Sequence, residues 1–222
     1  MATPTRKHRS NPAWIQRHVN DPYVKAATQA GYRSRAAYKL IEIDDRDRLL
    51  RPGSLVIELG AAPGSWTQVV RERLTARDGA LHGTIIALDL LPIAPLPGVR
   101  IIQGDFREQP VADELAQALG GARADLVLSD MAPNLSGIAV VDAAAGGLLA
   151  ELALEFAAQH LKPSGSLLVK AFQGSGHSQL VEAFKRAFQV VAVRKPAASR
   201  PESAETYLLG RRPRSQVGAS RA

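Results

Sequence analysis

The sequence predicts an α/β domain with a seven-stranded, mostly parallel sheet, helices on both faces, and a last strand that runs antiparallel. Two observations lead to this prediction. Short apolar runs alternate with amphipathic stretches along the chain, which is typical of repeated β-α units. The last two apolar runs are separated by a proline-containing segment without a helical pattern, whereas a parallel return normally needs a helix. The length of 222 residues suits one such domain.

The elements follow in order along the chain. Ser34 is placed to cap a helix over residues 35–48, which carries Lys39, and Pro52 with Gly53 is expected to stop it. The predicted strands are Leu55–Leu59, Thr84–Leu88, Val99–Gln103, Asp125–Ser129, Ser166–Lys170, Val190–Val193 and Thr206–Leu209. The helices between them include residues 65–75, 142–161 and 177–188, each with an apolar stripe that suits packing on a sheet.

Charge distinguishes the ends of the chain from its body. Residues 1–20 and 211–222 hold eight basic residues and no acidic one, whereas the rest carries 20 basic and 21 acidic residues. The net charge of +7 therefore resides in the ends. We expect a single domain over residues 21–210 between two flexible basic tails. Such tails suit contact with a nucleic acid, although charge alone is equally compatible with an aid to solubility.

Composition excludes several classes of protein. No segment approaches the roughly 20 apolar residues of a membrane span, and the N-terminus lacks the apolar core of a secretory signal. We expect a monomer in the cytoplasm with no membrane contact, a basic organellar targeting segment being the alternative. The absence of cysteine excludes disulfides, thiolate metal sites and a cysteine nucleophile. The five histidines lack metal-ligand spacing, so no protein-bound metal is expected.

A glycine turn follows the first predicted strand. Residues 56–66 read VIELGAAPGSW, in which an apolar strand leads through an acid-x-Gly-x-x-x-Gly turn into a helix. Gly60 permits a tight turn, and Gly64 lets the backbone approach a ligand near the helix N-terminus. The spacing differs from the G-x-G-x-x-G of dinucleotide sites and favours a nucleoside-like ligand without a diphosphate. Alone, the turn is equally compatible with a simple connection.

Acidic residues follow three successive strands. Asp89 comes after TIIAL, Asp105 after RIIQG and Asp130 after DLVLS. The carboxyl ends of parallel strands line the ligand crevice of an open α/β sheet, so we expect all three at one site. There one acid can accept hydrogen bonds from ribose hydroxyls and another from the amine of adenine. Each alone could serve as a turn residue, but together they favour a ligand that contains adenosine.

Five stretches of the chain form a recognisable set, namely RSRAAYKL at 33–40, ELGAAPGSW at 58–66, SDMAPNLSG at 129–137, LLVKAFQG at 167–174 and VRKPAASRPESAETY at 193–207. Together they resemble the FtsJ/RrmJ-type methyltransferases, over about Tyr32 to Gly210. The resemblance implies a Rossmann-like fold that uses S-adenosyl-methionine, yields S-adenosyl-homocysteine, and methylates the ribose 2′-hydroxyl of a 23S rRNA uridine in the large ribosomal subunit. Glu58 stands where members often have Asp, and Ser65 replaces a glycine. Residues 75–83 and 90–98 match less well.

The resemblance also implies roles for individual residues. The catalytic tetrad falls on Lys39, Asp130, Lys170 and Glu205, with Lys170 as proton acceptor. Contacts with the methyl donor fall on Gly64, Trp66, Asp89, Asp105 and Asp130. A ribose hydroxyl needs a base before it becomes a good nucleophile. Burial and the charge of Lys39 favour a neutral Lys170, whereas Asp130 and Glu205 oppose this and orient the amine. Arg33 and Arg35 precede the helix of Lys39 and are expected to hold RNA phosphates.

Other functions are weighed against this interpretation. Methylation at pyrimidine C5 typically uses a cysteine, and the chain has none. Methylation of an exocyclic amine typically shows an N/D-P-P-Y/F loop, where this sequence reads DMAPN. Two alternatives stay open: ribose methylation of tRNA, an mRNA cap or another RNA, and a catalytically silent RNA-binding protein of ribosome assembly.

Overall fold

The computed structural model describes residues 20–133, 136–200 and 203–214. Its strands are β1 (Leu55–Leu59), β2 (Thr84–Asp89), β3 (Val99–Gln103), β4 (Ala124–Ser129), β5 (Leu161–Phe172), β6 (Phe188–Arg194) and β7 (Glu205–Pro213). Its helices are α1 (Pro22–Ala30), α2 (Ala36–Asp47), α3 (Ser65–Leu74), α4 (Gln109–Leu119), α5 (Ala139–His160) and α6 (His177–Ala187). The part of the chain described here holds no helix long and apolar enough to cross a membrane.

The strands form one seven-stranded sheet in the order β3-β2-β1-β4-β5-β7-β6. Neighbours from β3 to β5 pair in parallel, and β7 pairs antiparallel with both β5 and β6. The predicted fold class is therefore confirmed, including the direction of the last strand. The strand order reverses between β1 and β4, and the crevice at such a reversal is where open α/β sheets bind ligands.

The C-terminal boundary of the domain lies beyond the predicted Gly210. Strand β7 continues to Pro213, so Arg211 and Arg212 belong to the sheet and not to a tail. The Arg211 guanidinium donates to the backbone oxygen of Asp47 at 2.5 Å and lies 3.5 Å from its carboxylate. The predicted tails otherwise fall almost entirely on residues 1–19 and 215–222, which lie outside the described residues.

Helix α2 ends at Asp47, within one residue of the predicted end and well before Pro52. Arg48 adopts a left-handed conformation with φ of 53°, and the Asp44 carboxylate accepts the N–H groups of Leu49 and Leu50 at 2.8 Å each. The chain is thus already turned away from the helix before it reaches Pro52. The prediction that Pro52 and Gly53 stop this helix is wrong, because a side-chain cap acts first.

Two described helices were not assigned from the sequence, namely α1 and α4. Asp21 caps the start of helix α1, where its carboxylate accepts the N–H of Tyr23 at 3.0 Å, and Pro22 lies in the first turn. Helix α4 likewise has Pro110 in its first turn and is capped at its end by Gly120 in the left-handed region. Both follow ordinary start and stop rules, so the signals were present in the sequence.

Strands β1, β2 and β4 are buried on both faces, which confines an open site near them to the ends of the strands. In β1, Ile57 and Leu59 belong to the apolar cluster with α4, α5 and α6, and Val56 belongs to the cluster with α2 and α3. This alternation follows from the two-residue period of a strand. The helix that carries Lys39 is therefore packed on one face, with its residues Ala37, Leu40 and Ile43 buried.

Candidate active site

Two lysine–carboxylate pairs lie at one edge of the sheet. Lys170 of β5 donates from Nζ to the backbone oxygen of Asp130 at 2.8 Å and contacts its Oδ1 at 2.9 Å. Lys39 of α2 contacts both carboxylate oxygens of Glu205 at 2.8 Å. Because β7 runs antiparallel, its first residue, Glu205, lies at the edge where β4 and β5 end. The four residues of the implied tetrad are thus brought together as two ion pairs.

Tyr207 contacts the tetrad through its hydroxyl, and the sequence analysis did not identify it as a residue of the site. Its buried hydroxyl donates to Oδ1 of Asp130 at 2.9 Å, the oxygen that Lys170 also contacts. Burial, followed by the negative charges of Asp130 and Glu205, raises the pKa of Tyr207 well above its usual value. The phenol therefore remains a donor at neutral pH. The two-residue period of β7 puts Tyr207 on the same face as Glu205, a signal that could have found it.

The Glu205 carboxylate is held ionised by its surroundings. Burial alone would raise its pKa, but the charge and hydrogen bond of Lys39 outweigh burial, with help from Lys170 and Ser199, and the pKa of Glu205 is lowered. The buried Ser199 hydroxyl donates to Oε1 of Glu205 at 2.8 Å. Lys195 donates to the backbone oxygen of Glu205 at 2.7 Å. Glu205 is therefore positioned from several sides.

The glycine turn after β1 lies directly beside Asp130. A Cβ on Gly60, whose φ is 72°, would lie 2.6 Å from Cγ of Met131, the residue that follows Asp130. The N–H groups of Gly60 and Ala61 donate to the oxygen of Leu88 at the end of β2, at 2.9 and 3.1 Å. Only glycine allows both this conformation and this close approach. The turn is therefore hydrogen-bonded to the end of β2 and lies close to Met131, just after the end of β4.

The acids after β2 and β3 already hold protein groups. The Asp89 carboxylate accepts the N–H groups of Ala62 at 2.7 Å and Leu91 at 2.8 Å, one on each oxygen. A carboxylate has about four acceptor positions, which leaves room for ligand hydroxyls. Asp105 is bound by the exposed Arg107, whose hydrogen bonds lower the pKa of Asp105 although burial opposes them. Both acids lie at or just after the carboxyl ends of their strands, and their contact with a ligand stays a prediction.

The Trp66 side chain lies in the core and not at the surface of the crevice. Its indole N–H donates to the oxygen of Ala36 at 2.7 Å, and its ring centroid is 5.6 Å from that of Tyr207. Since the whole residue is 1% exposed, the indole is closed to a ligand in this structure, and the predicted contact of Trp66 with the methyl donor stays a prediction. The ring also ties α3 to α2, the helix that carries Lys39.

Glu58 is a buried acid beside the same site. Its Oε2 accepts the hydroxyl of Thr67 at 2.7 Å. Burial raises the pKa of Glu58 to about 8, against the Thr67 hydrogen bond and with help from the charges of Asp130 and Asp89. The carboxyl is therefore largely protonated at neutral pH. The glycine motif located this acid in the sequence, but its protonation depends on burial that no motif reveals.

Arg33 and Arg35 both make contacts within the protein. Arg33 donates to the backbone oxygens of Pro63 at 2.9 Å and Pro95 at 3.2 Å. Arg35 forms an ion pair with Asp21 and donates to the oxygen of Ala198, in the loop before β7. The prediction that these arginines hold RNA phosphates stays a prediction.

The charged groups of the site do not resemble a metal centre. Across residues 20–133, 136–200 and 203–214, no group of three or more histidine, aspartate or glutamate side chains is placed to hold a metal ion. The carboxylates of the site are instead matched with cations and N–H groups, as in the pairs of Lys170 with Asp130 and Lys39 with Glu205.

Comparison with known proteins agrees with this geometry. Residues 32–213 match the family described as FtsJ-like methyltransferase. The chain is 57% identical over 212 residues to proteins of Burkholderia thailandensis and Burkholderia mallei named ribosomal RNA large subunit methyltransferase E, covering 92% of this chain and 96% of each relative. A crystal structure of a Plasmodium falciparum protein described as a ribosomal RNA methyltransferase superposes with a TM-score of 0.73 and 32% identity, covering 82% of this chain and 98% of that one. The chain belongs to the FtsJ-like methyltransferase family.

Proposed function

We propose that this protein transfers a methyl group from S-adenosyl-methionine to the 2′-hydroxyl of a uridine ribose in 23S rRNA. The observation that carries the proposal is the convergence of two lysine–carboxylate pairs beside the glycine turn. The names of the relatives, which describe large-subunit ribosomal RNA methyltransferases, support the choice of RNA.

The residues at the crevice fit an adenosine-containing donor. The acceptor positions left on Asp89 suit the two hydroxyls of a ribose, and Asp105 suits the amine of adenine. The main-chain amides at the start of α3, near Gly64 and Trp66, suit polar groups of the ligand. Asp130 suits the positively charged end of the donor. When bound, S-adenosyl-methionine supplies a methyl group already activated by its sulfonium.

The chain's own task is to position the ribose hydroxyl and remove its proton. Two of the Nζ contacts of Lys170 are directed at Asp130, so Asp130 orients the amine. We assign Lys170, in the neutral form that remains after its ammonium has lost a proton to solvent, as the base that accepts the proton of the 2′-hydroxyl. The 2′ oxygen would then take the methyl group, with S-adenosyl-homocysteine as the leaving group. Lys39, held by Glu205, stabilises the negative charge that develops on this oxygen.

The donor site is tested by calorimetry with S-adenosyl-methionine. Asp89→Ala removes the acceptors expected for the ribose and also frees the N–H groups of Ala62 and Leu91. We expect it to weaken donor binding by about tenfold or more, since a lost hydrogen bond to a charged group has a large effect. Asp113→Ala, at an exposed position of α4, serves as the control. Equal donor affinity in Asp89→Ala and the unaltered protein would contradict the proposed contact.

The RNA substrate is tested by mapping ribose methylation in cells that lack the protein. We expect one 23S rRNA uridine to lose its methyl group, and the unaltered gene but not Lys170→Ala to restore it. Loss of a methyl group from a tRNA, with rRNA unchanged, would reassign the substrate. Retained RNA binding with no change in any RNA would instead favour a silent assembly protein. Large subunits and free 23S rRNA from these cells, compared as substrates in vitro, separate the two forms of the target.

A further inference from the structure

The guanidinium of Arg33 bridges the two loops that flank the proposed donor site. Its Nη1 donates to the oxygen of Pro63, in the glycine turn after β1, at 2.9 Å. Its Nη2 donates to the oxygen of Pro95, in the loop after β2, at 3.2 Å. The first loop contains Gly64, and the second follows directly from Asp89. One planar group thus spans the distance between two segments expected to hold opposite sides of one ligand.

The contact between Arg33 and the glycine turn is close. A Cβ added to Gly64 would lie 2.4 Å from Nη1 of Arg33 and 3.1 Å from Cγ2 of Ile93. Ile93 is buried in a small apolar cluster with Ala61 and Ala87, so the second loop also packs against the turn. Glycine is therefore needed at position 64 for two reasons: its backbone has a positive φ, and a side chain there would collide with the Arg33 guanidinium.

The backbone of Arg33 is fixed to α3, the helix that begins at this turn. Its N–H donates to the side chain of Gln68 at 2.8 Å, and the Gln68 amide donates to the oxygen of Gly31 at 2.9 Å. Arg71 of the same helix donates to the oxygen of Pro97 at 2.8 Å and holds the far end of the second loop. Arg33 is thus anchored to α3 through Gln68 and contacts both loops through its guanidinium. We call this arrangement the Arg33 clamp.

We propose that Arg33 is a positioning residue of the methyl-donor site, which sets the spacing between the glycine turn and the loop 90–98. The inference rests on the proposed function and changes the role expected of Arg33 from phosphate contact to loop clamp. Arginine suits this role because its fork can donate to two separated carbonyl oxygens at once. Lysine, a single point of charge, cannot reproduce the bridge although it can bind a phosphate.

The experiment measures donor affinity and RNA affinity for the same variants. Arg33→Met removes the clamp and the charge, Arg33→Lys keeps the charge, and Arg100→Met removes an exposed arginine paired with Glu114 elsewhere on the surface. Calorimetry with S-adenosyl-homocysteine gives donor-site affinity. RNA binding at several salt concentrations gives the number of phosphate contacts, since each contributes a slope of about one. Thermal unfolding without ligand reports any general loss of structure.

We expect both Arg33 variants to bind S-adenosyl-homocysteine about tenfold more weakly, with the salt slope of RNA binding unchanged. Arg100→Met should match the unaltered protein in donor affinity. Full donor affinity in Arg33→Lys would overturn the inference even if Arg33→Met fails to fold. A salt slope reduced by about one in Arg33→Met, with donor affinity intact, would return Arg33 to the role of a phosphate contact. Failure of the unaltered protein to bind the donor would overturn the proposed function together with this inference.

Discussion

The hydroxyl of Tyr207 donates to Oδ1 of Asp130 at 2.9 Å, the same oxygen that Nζ of Lys170 contacts at 2.9 Å. One carboxylate oxygen is thus held by a neutral donor and a cation at the same time. The Tyr207 ring also packs on Trp66, whose indole is fastened to α2. The orientation of Lys170, the proposed base, therefore depends on the packing of two buried aromatic rings, Tyr207 and Trp66.

Tyr207→Phe is expected to slow methyl transfer about tenfold while leaving donor affinity and folding close to normal. Phenylalanine keeps the ring packing on Trp66 and removes the hydroxyl, which donates to Asp130 and also interacts with Glu205. Single-turnover rates as a function of pH provide the measurement, because a misdirected Asp130 changes the pH dependence as well as the maximal rate. A rate and pH profile equal to those of the unaltered protein would show that the hydroxyl serves packing alone.

Lys170→Ala is expected to reduce methyl transfer by on the order of 10²–10⁴-fold, the usual contribution of a positioned base. The affinity for the methyl donor should stay near normal, since the Lys170 amine contacts Asp130 and is proposed to face the ribose of the RNA. It is not expected to contact the adenosine of the donor. Lys185→Ala, which removes an exposed lysine paired with Glu182, is the matched control. Asp130→Ala should impair both rate and donor affinity, and Glu205→Ala should lower the rate more mildly. Near-normal turnover of Lys170→Ala would contradict the assigned base.

Glu58→Gln is expected to change the pH dependence of stability. The folded protein keeps a proton on Glu58 up to about pH 8, whereas the unfolded chain loses it near the ordinary value of 4.5. Between these values the native state binds more protons, so the free energy of unfolding falls as pH rises. Glutamine cannot titrate and removes this contribution, which amounts to a few kcal/mol at about 1.4 kcal/mol per pKa unit. Urea unfolding at pH 5, 6.5 and 8 would contradict the prediction if the two proteins lost stability in parallel.

Arg107→Ala is expected to strengthen donor binding by about two- to fivefold. In the structure the exposed Arg107 holds both oxygens of Asp105, and an adenine amine would compete for the same carboxylate. Removing the arginine frees the acceptor. Arg186→Ala, an exposed arginine of α6, controls for the lost charge. Weaker donor binding in Arg107→Ala would mean that the arginine contacts the ligand and does not compete with it.

The strands and the glycine turn could be predicted from the sequence because their signals are local. An apolar strand with a two-residue period, such as Leu55–Leu59, can be identified without knowing its neighbours. The direction of β7 also followed from local information, since residues 194–205 are too short and proline-rich for a helical crossover. The members of the lysine–carboxylate pairs were implied by motif resemblance, and the structure adds that Lys39 pairs with Glu205 and Lys170 with Asp130.

Contacts between residues far apart in the chain, and the protonation of buried groups, could be learned only from the tertiary structure. The position of β7 between β5 and β6 brings Tyr207 under Asp130, residues 77 positions apart in the chain. Folding also directs Arg33 to the backbone oxygens of Pro63 and Pro95, whereas its position before the helix of Lys39 had suggested contact with RNA phosphates. The pKa of Glu58 rises only because packing excludes water from a carboxyl that any extended chain would leave solvated. Sequence patterns report short-range geometry, whereas partners and protonation states are set by long-range contacts and burial.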